Sequence, residues 1–124
     1  MRVAQLAGWY SPTSGGIRTV VHRLGAGYRA AGHETVLVVP GDRYTVTREQ
    51  IALSGPVLPG SGGYRVVIRP GVLGTALDRA APDVVELHDK AWLPSVRRWA
   101  DRHGVPVVVV SHERLDRTLP MLAP

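Results

Sequence analysis

Apolar and polar positions follow two different periods along this chain. Val3 to Ala7 is a short, mostly apolar run, the pattern of a strand buried on both faces. From Ile17 the spacing lengthens. Ile17, Val20, Val21, Leu24, Tyr28 and Ala31 share one helical face, with Arg18, His22 and Arg29 opposite. Gly32 predicts a helix C-cap, and Thr35 to Val39 a second buried strand that ends at Pro40.

Residues 40–63 are rich in turn formers, and Thr45 to Leu53 between them reads as a strand and a half-turn. Tyr64 to Ile68 is expected to be the third strand, closed by Arg69-Pro70-Gly71. A helix is predicted over Val72 to Ala81, a strand over Val84 to Leu87, and a helix over Leu93 to His103 with Pro94 in its first turn. Gly104 ends that helix, Val107 to Val110 is a fully apolar strand, and Ser111 to Arg117 is expected to start another helix. The alternation predicts one α/β domain: an open, mostly parallel Rossmann-like sheet with helices on both faces and right-handed crossovers.

Composition narrows the class. The chain has 124 residues, 44% hydrophobic and 20% charged, enough for one packed core. It has no cysteine, which excludes disulfides, thiolate metal sites and a cysteine nucleophile. The N-terminus enters a strand directly, without the basic and apolar regions of a signal peptide, and no apolar run approaches a membrane span. A cytoplasmic protein is expected, with peripheral contact at the inner face of the membrane as an option. The net charge of +5 favours anionic partners, although an arginine bias also follows from a GC-rich genome. No basic–aromatic strand pattern accompanies the charge, so nucleic acid is not expected as a partner.

In open parallel sheets, ligands bind beyond the carboxyl ends of the strands. The predicted strands end in Gly8 to Gly16, in His88-Asp89, and in Ser111-His112-Glu113, which places three polar clusters on one rim. Gly15-Gly16 precedes the first helix, so the backbone N–H groups of Ile17 and Arg18 are available to a phosphate there. The plain alternative is a tight turn with Ser14 near the N-cap. His112 is the candidate catalytic group, able to orient or donate to a sugar hydroxyl or phosphate oxygen, in the company of Ser111, Glu113, Arg114 and Asp116. Trp9 could stack on a sugar ring. His88, Asp89, His112 and Glu113 are also possible ligands for a divalent ion, but they lack a recognised ligand spacing, and no metal is expected. Gly25-Ala26-Gly27-Tyr28-Arg29-Ala30 matches a dinucleotide-binding string, yet it lies inside the first helix, where its glycines serve close packing instead.

Several features then coincide. Arg2 to Leu6 leads into Pro12-Thr13-Ser14-Gly15-Gly16-Ile17, and the helix runs to Ala31-Gly32-His33-Glu34-Thr35-Val36. Pro82-Asp83-Val84-Val85-Glu86-Leu87-His88-Asp89 and Val109-Val110-Ser111-His112-Glu113 follow. Over nearly its whole length the chain resembles the N-terminal domain of a family 4 glycosyltransferase of the GT-B fold. Ser111 to Asp116 is most similar to bacterial mannosyltransferases that build mannolipids.

The resemblance implies retaining sugar transfer from a nucleotide-diphosphate sugar, without a metal or other cofactor. GDP-mannose is the first choice of donor, and a lipid-linked or glycan molecule the acceptor. It implies that Gly15-Gly16 faces an inter-domain cleft and that His112 corresponds to the family's histidine near the transferred sugar. Trp9, Tyr10, Gly15, Gly16, Ile17, Arg18, His88, Asp89, Ser111 and Glu113 are the expected substrate-binding residues. The family's second domain, which binds most of the nucleotide and carries paired glutamates and a phosphate clamp, has no counterpart in these residues. The chain is therefore expected to be a truncated, acceptor-side domain, inactive alone. Two rivals share the fold: a non-catalytic module for phosphosugars or lipid head groups, and a metal-assisted hydrolase.

Overall fold

The computed structural model describes residues 1–10, 15–67, 69 and 71–111. Six strands form one sheet in the order β3-β4-β2-β1-β5-β6. They are β1 (Arg2–Leu6), β2 (Glu34–Gly41), β3 (Thr45–Val46), β4 (Gln50–Ser54), β5 (Val84–Leu87) and β6 (Val107–Val109). Only the β3–β4 pairing is antiparallel. Three helices connect them: α1 (Gly16–Ala30), α2 (Val72–Ala80) and α3 (Leu93–His103).

Strand alternation divides the core between two layers. Ala4 and Leu6 of β1, Val36 and Val38 of β2, and Val85 and Leu87 of β5 pack against Leu73, Ala76 and Leu77 of α2 and against Val96 and Trp99 of α3. Leu37 and Val39 point the other way and meet Val21 of α1, Ala7 and Tyr10. Both faces of β2 are thus covered, which is why its apolar run is unbroken. Gly32 ends α1 in a left-handed conformation, with φ 91°. The N–H groups of Gly32 and His33 donate to the carbonyls of Arg29 and Tyr28, each at 3.0 Å, the paired pattern of a Schellman cap.

The expected third strand is in the wrong place. The neighbour of β2 is β4, whose Ile51, Ala52 and Leu53 are buried. The chain reaches it without a helix: β3 runs back along the outer edge, and Thr47 closes the turn by accepting from the Gln50 N–H at 3.0 Å. Tyr64 to Val67 forms no strand and contributes only the bridge between Arg65 and Val57. The place beside β2 is already taken, and the Arg65 side chain is tied to the Gly55 carbonyl at 2.9 Å. Ile68, the helix expected from Ser111 to Arg117, and the apolar tail beyond it lie wholly or largely outside the described residues. Among the described residues, no helix is long and apolar enough to cross a membrane.

Candidate functional site

Parallel pairing in register brings three strand ends to one rim. Leu6 of β1 lies opposite Leu87 of β5, and Leu87 opposite Val109 of β6. The His88 N–H donates to the Leu6 carbonyl, and the Val110 N–H to the Leu87 carbonyl, both at 2.8 Å. β1 is also where the order reverses, since β2 lies on one side of it and β5 on the other. The junction between β1 and β5, just beyond Leu6 and Leu87, therefore lies at the position where such sheets bind ligands.

The glycine turn lies on this rim, between the end of β1 and the start of α1. Gly15 is the N-cap of α1 at φ 107°, ψ 149°, a conformation closed to other residues. Among the described residues no side chain caps the helix, and its first turn holds no acidic residue. The first N–H groups, at Gly16, Ile17 and Arg18, have no partner within the helix, and the positive end of the helix dipole accompanies them. Gly16 is exposed. The Ile17 side chain turns inward onto the core beneath α1, leaving only its backbone for a ligand.

Aromatic rings flank the turn. Trp9 is 41% exposed, and its indole stacks on Tyr64 with ring centroids 4.3 Å apart and planes 3° apart. The Tyr64 hydroxyl reaches Gly15, where an added Cβ would lie 3.0 Å from it. The long connection between β4 and α2 thus returns to the rim, and its turn-forming composition gave no sign of this. Tyr10 is buried under α1, with its hydroxyl 2.9 Å from His22 Nε2. Burial raises the Tyr10 pKa, against the opposing charge and hydrogen bond of Arg18.

The β5 side is built on a buried carboxylate. Gln5 and Glu86 interrupt two apolar strands at positions directly opposite each other in register. Glu86 is buried and accepts from the Tyr28 hydroxyl, from Gln5 Nε2 at 3.2 Å, and from His88 Nε2. Gln5 Nε2 also donates to the Val21 carbonyl of α1 at 3.0 Å. Burial alone would push the Glu86 pKa up, but the hydrogen bonds from His88, Tyr28 and Gln5 together outweigh it and hold the pKa down. The group is therefore an ionised acceptor, and His88 Nε2 carries the proton it shares with it. This fixes the imidazole plane at the end of β5. Tyr28 is pushed up to about 12 by burial and by the Glu86 carboxylate beside it.

Sequence reasoning missed Gln5, Tyr28 and Glu86. The available signal was a polar residue inside each of two otherwise apolar strands. Asp89 lies at the rim as expected, but its carboxylate accepts from the Ala91 N–H at 2.9 Å and so caps the turn before α3. Ser111 is exposed just beyond β6. Arg18 is half-buried beside Tyr10, and its Nε has no hydrogen-bond partner among the described residues. His112, the candidate catalytic group, and Glu113 lie outside the described residues, as does Ser14.

The profile of the glycosyl transferase 4-like domain matches residues 15–124. The chain belongs to this family. It is also 46% identical over 129 aligned positions to the GDP-mannose-dependent alpha-(1-6)-phosphatidylinositol dimannoside mannosyltransferase of Mycobacterium tuberculosis, in both strain ATCC 25177 / H37Ra and strain CDC 1551 / Oshkosh. The alignment covers 100% of this glycosyl transferase 4-like chain and 34% of the relatives' length, so the chain spans about a third of the proteins it matches. The sheet order, which reverses at β1, is the α/β frame expected of this family from its sequence.

Proposed function

We propose that this chain is the acceptor-side, N-terminal half of a retaining mannosyltransferase, with GDP-mannose as donor and a phosphatidylinositol-based mannolipid as acceptor. The observation that carries this reading is the acid-free start of α1 at the rim, with no side-chain cap from Gly15, in a chain 46% identical to a GDP-mannose-dependent enzyme. In the transfer, the bond from the mannose C1 to the diphosphate breaks, and C1 bonds to an acceptor hydroxyl oxygen. The hydroxyl proton leaves with the diphosphate, and GDP is the other product.

The chain's own groups suit part of this work. The N–H groups of Gly16, Ile17 and Arg18 offer donors to phosphate oxygens at no cost in reorganisation. Trp9 and Tyr64 offer an apolar wall to a sugar ring. His88, buried and held by Glu86, supports the rim from below, while Asp89 and Tyr10 shape the loops around it. His112 remains the proposed catalytic group, with Ser111 and Glu113 beside it. The diphosphate clamp belongs to a C-terminal, donor-binding domain, and the chain alone is inactive. The reaction takes place in the cytoplasm, with the acceptor presented at the inner membrane face.

A chimera tests this directly. Residues 1–124 are joined to the remainder of the mycobacterial relative, and mannose transfer from GDP-mannose to phosphatidylinositol dimannoside is followed. The chimera is expected to form product and the chain alone none. A folded chimera without activity, beside an active parent enzyme, would contradict the assignment.

A further inference from the structure

A second concave site lies on the other face of the sheet from α1. A groove of about 400 Å³ between α2 and α3 is floored by Leu73, Trp92 and Trp99 and edged by Arg69, Arg98 and Arg102. Among the described residues, no carboxylate lines it. Some arginines elsewhere have acidic partners: Arg2 and Arg48 with Glu34, Arg65 with Asp42. The three groove arginines make no hydrogen bond or ion pair with a described residue.

The floor is held in place. Trp92 and Trp99 are buried, Trp99 Nε1 donates to Asp78 at 2.8 Å, and the Trp99 indole stacks on His103 at 4.2 Å. Gly71 and Gly74 of the α2 start also line the groove. α2 has no side-chain cap and no acid in its first turn, so its positive end adds to the guanidinium charge. Three cations facing one cavity repel one another unless an anion joins them. Guanidinium forks match phosphate oxygens in pairs, and indole floors suit an apolar or ring-bearing group attached to the phosphate.

We propose that this groove is a phosphate-ester binding site on the α2–α3 side of the sheet, reaching the rim where Trp92 packs beside Gly8. Its ligand is a phosphate monoester or diester whose organic part lies over Trp92 and Trp99. A soluble metabolite and a phospholipid head group share this chemistry.

Calorimetric titration of the full chain with inorganic phosphate, at fixed ionic strength, tests the site. Saturable millimolar or tighter binding is expected, weakened about tenfold or more in R98Q/R102Q and unchanged in R23Q, an exposed arginine of α1 outside the groove. Thermal melts of the variants check that each remains folded. Heats that never saturate, or equal affinity in R98Q/R102Q, would overturn the proposal. So would an equal loss in R23Q, which would mark attraction to net charge rather than to this groove. Co-sedimentation with phosphatidylcholine vesicles, with and without phosphatidylinositol, then separates the sources. Phosphate-competed retention that depends on phosphatidylinositol and is lost in R98Q/R102Q identifies a lipid head group. Saturable phosphate binding without retention identifies a soluble ester.

Discussion

Tyr28 of α1 donates its phenolic hydrogen bond to the Glu86 carboxylate of β5. This contact ties the helix that begins at the glycine turn to the strand that ends at His88, so the two sides of the rim share one buried anchor. The anchor predicts two limbs of pH-dependent stability. Glu86 has a lowered pKa, so its stabilisation is complete above the ordinary carboxylate value of 4.5 and is lost as pH falls through its lower folded value. Tyr28 has a raised pKa, so its stabilisation is complete below 10.0 and is lost as pH rises from there through about 12. Urea midpoints measured across pH should therefore fall at both ends. E86Q is expected to cost about 1–3 kcal/mol at neutral pH and to flatten the acid limb. Y28F should flatten the alkaline one. An unaltered acid limb in E86Q would remove Glu86 from this role.

Two glycines of α1 should respond in opposite directions. At Gly25 an added Cβ would lie 2.7 Å from Gln5 Oε1 and 3.1 Å from Arg29 Nη1. Gln5 cannot easily give way, because its amide holds both Val21 and Glu86. G25A is expected to destabilise the fold by about 1–3 kcal/mol. At Gly27 nothing lies within 4 Å of the added carbon, and G27A should stabilise by about 0.5–1 kcal/mol through helix propensity. Chemical denaturation of both variants checks the contrast, and a neutral G25A would contradict the close approach of α1 to β1.

The stacked pair of Trp9 and Tyr64 is expected to act on ligand affinity more than on stability. Y64A should weaken binding of a soluble mannosylated inositol phosphate up to about tenfold, whereas Y64F, which keeps the stack, should change it little. Calorimetry with that head-group analogue decides the matter. Equal affinity in Y64A would exclude the aromatic wall from the acceptor site.

The sequence made most of this frame legible, for identifiable reasons. Apolar runs at Val84 to Leu87 and helical spacing over Leu93 to His103 are set by local burial, and both elements appear at those bounds. The third strand was misplaced because Tyr64 to Val67 and Gln50 to Leu53 carry similar apolar content, and only tertiary pairing with β2 distinguishes them. The same error hid Tyr64 from the site, since its place at the rim depends on how a long connection folds back. Gln5 and Glu86 were visible as polar residues within strands, but their meeting depends on a register between segments 81 residues apart. The buried place of Tyr10 likewise depends on its contact with His22, which a loop sequence does not reveal.

The central claim is that the glycine turn is one wall of a sugar-transfer cleft, and backbone amide NMR tests it most directly. Titration of residues 1–124 with GDP-mannose should give weak binding, looser than micromolar, with the largest shifts at the amides of Gly16, Ile17 and Arg18 and at the Trp9 indole. Sub-micromolar binding would contradict a one-walled cleft. Shifts that spare the start of α1 would contradict the site itself.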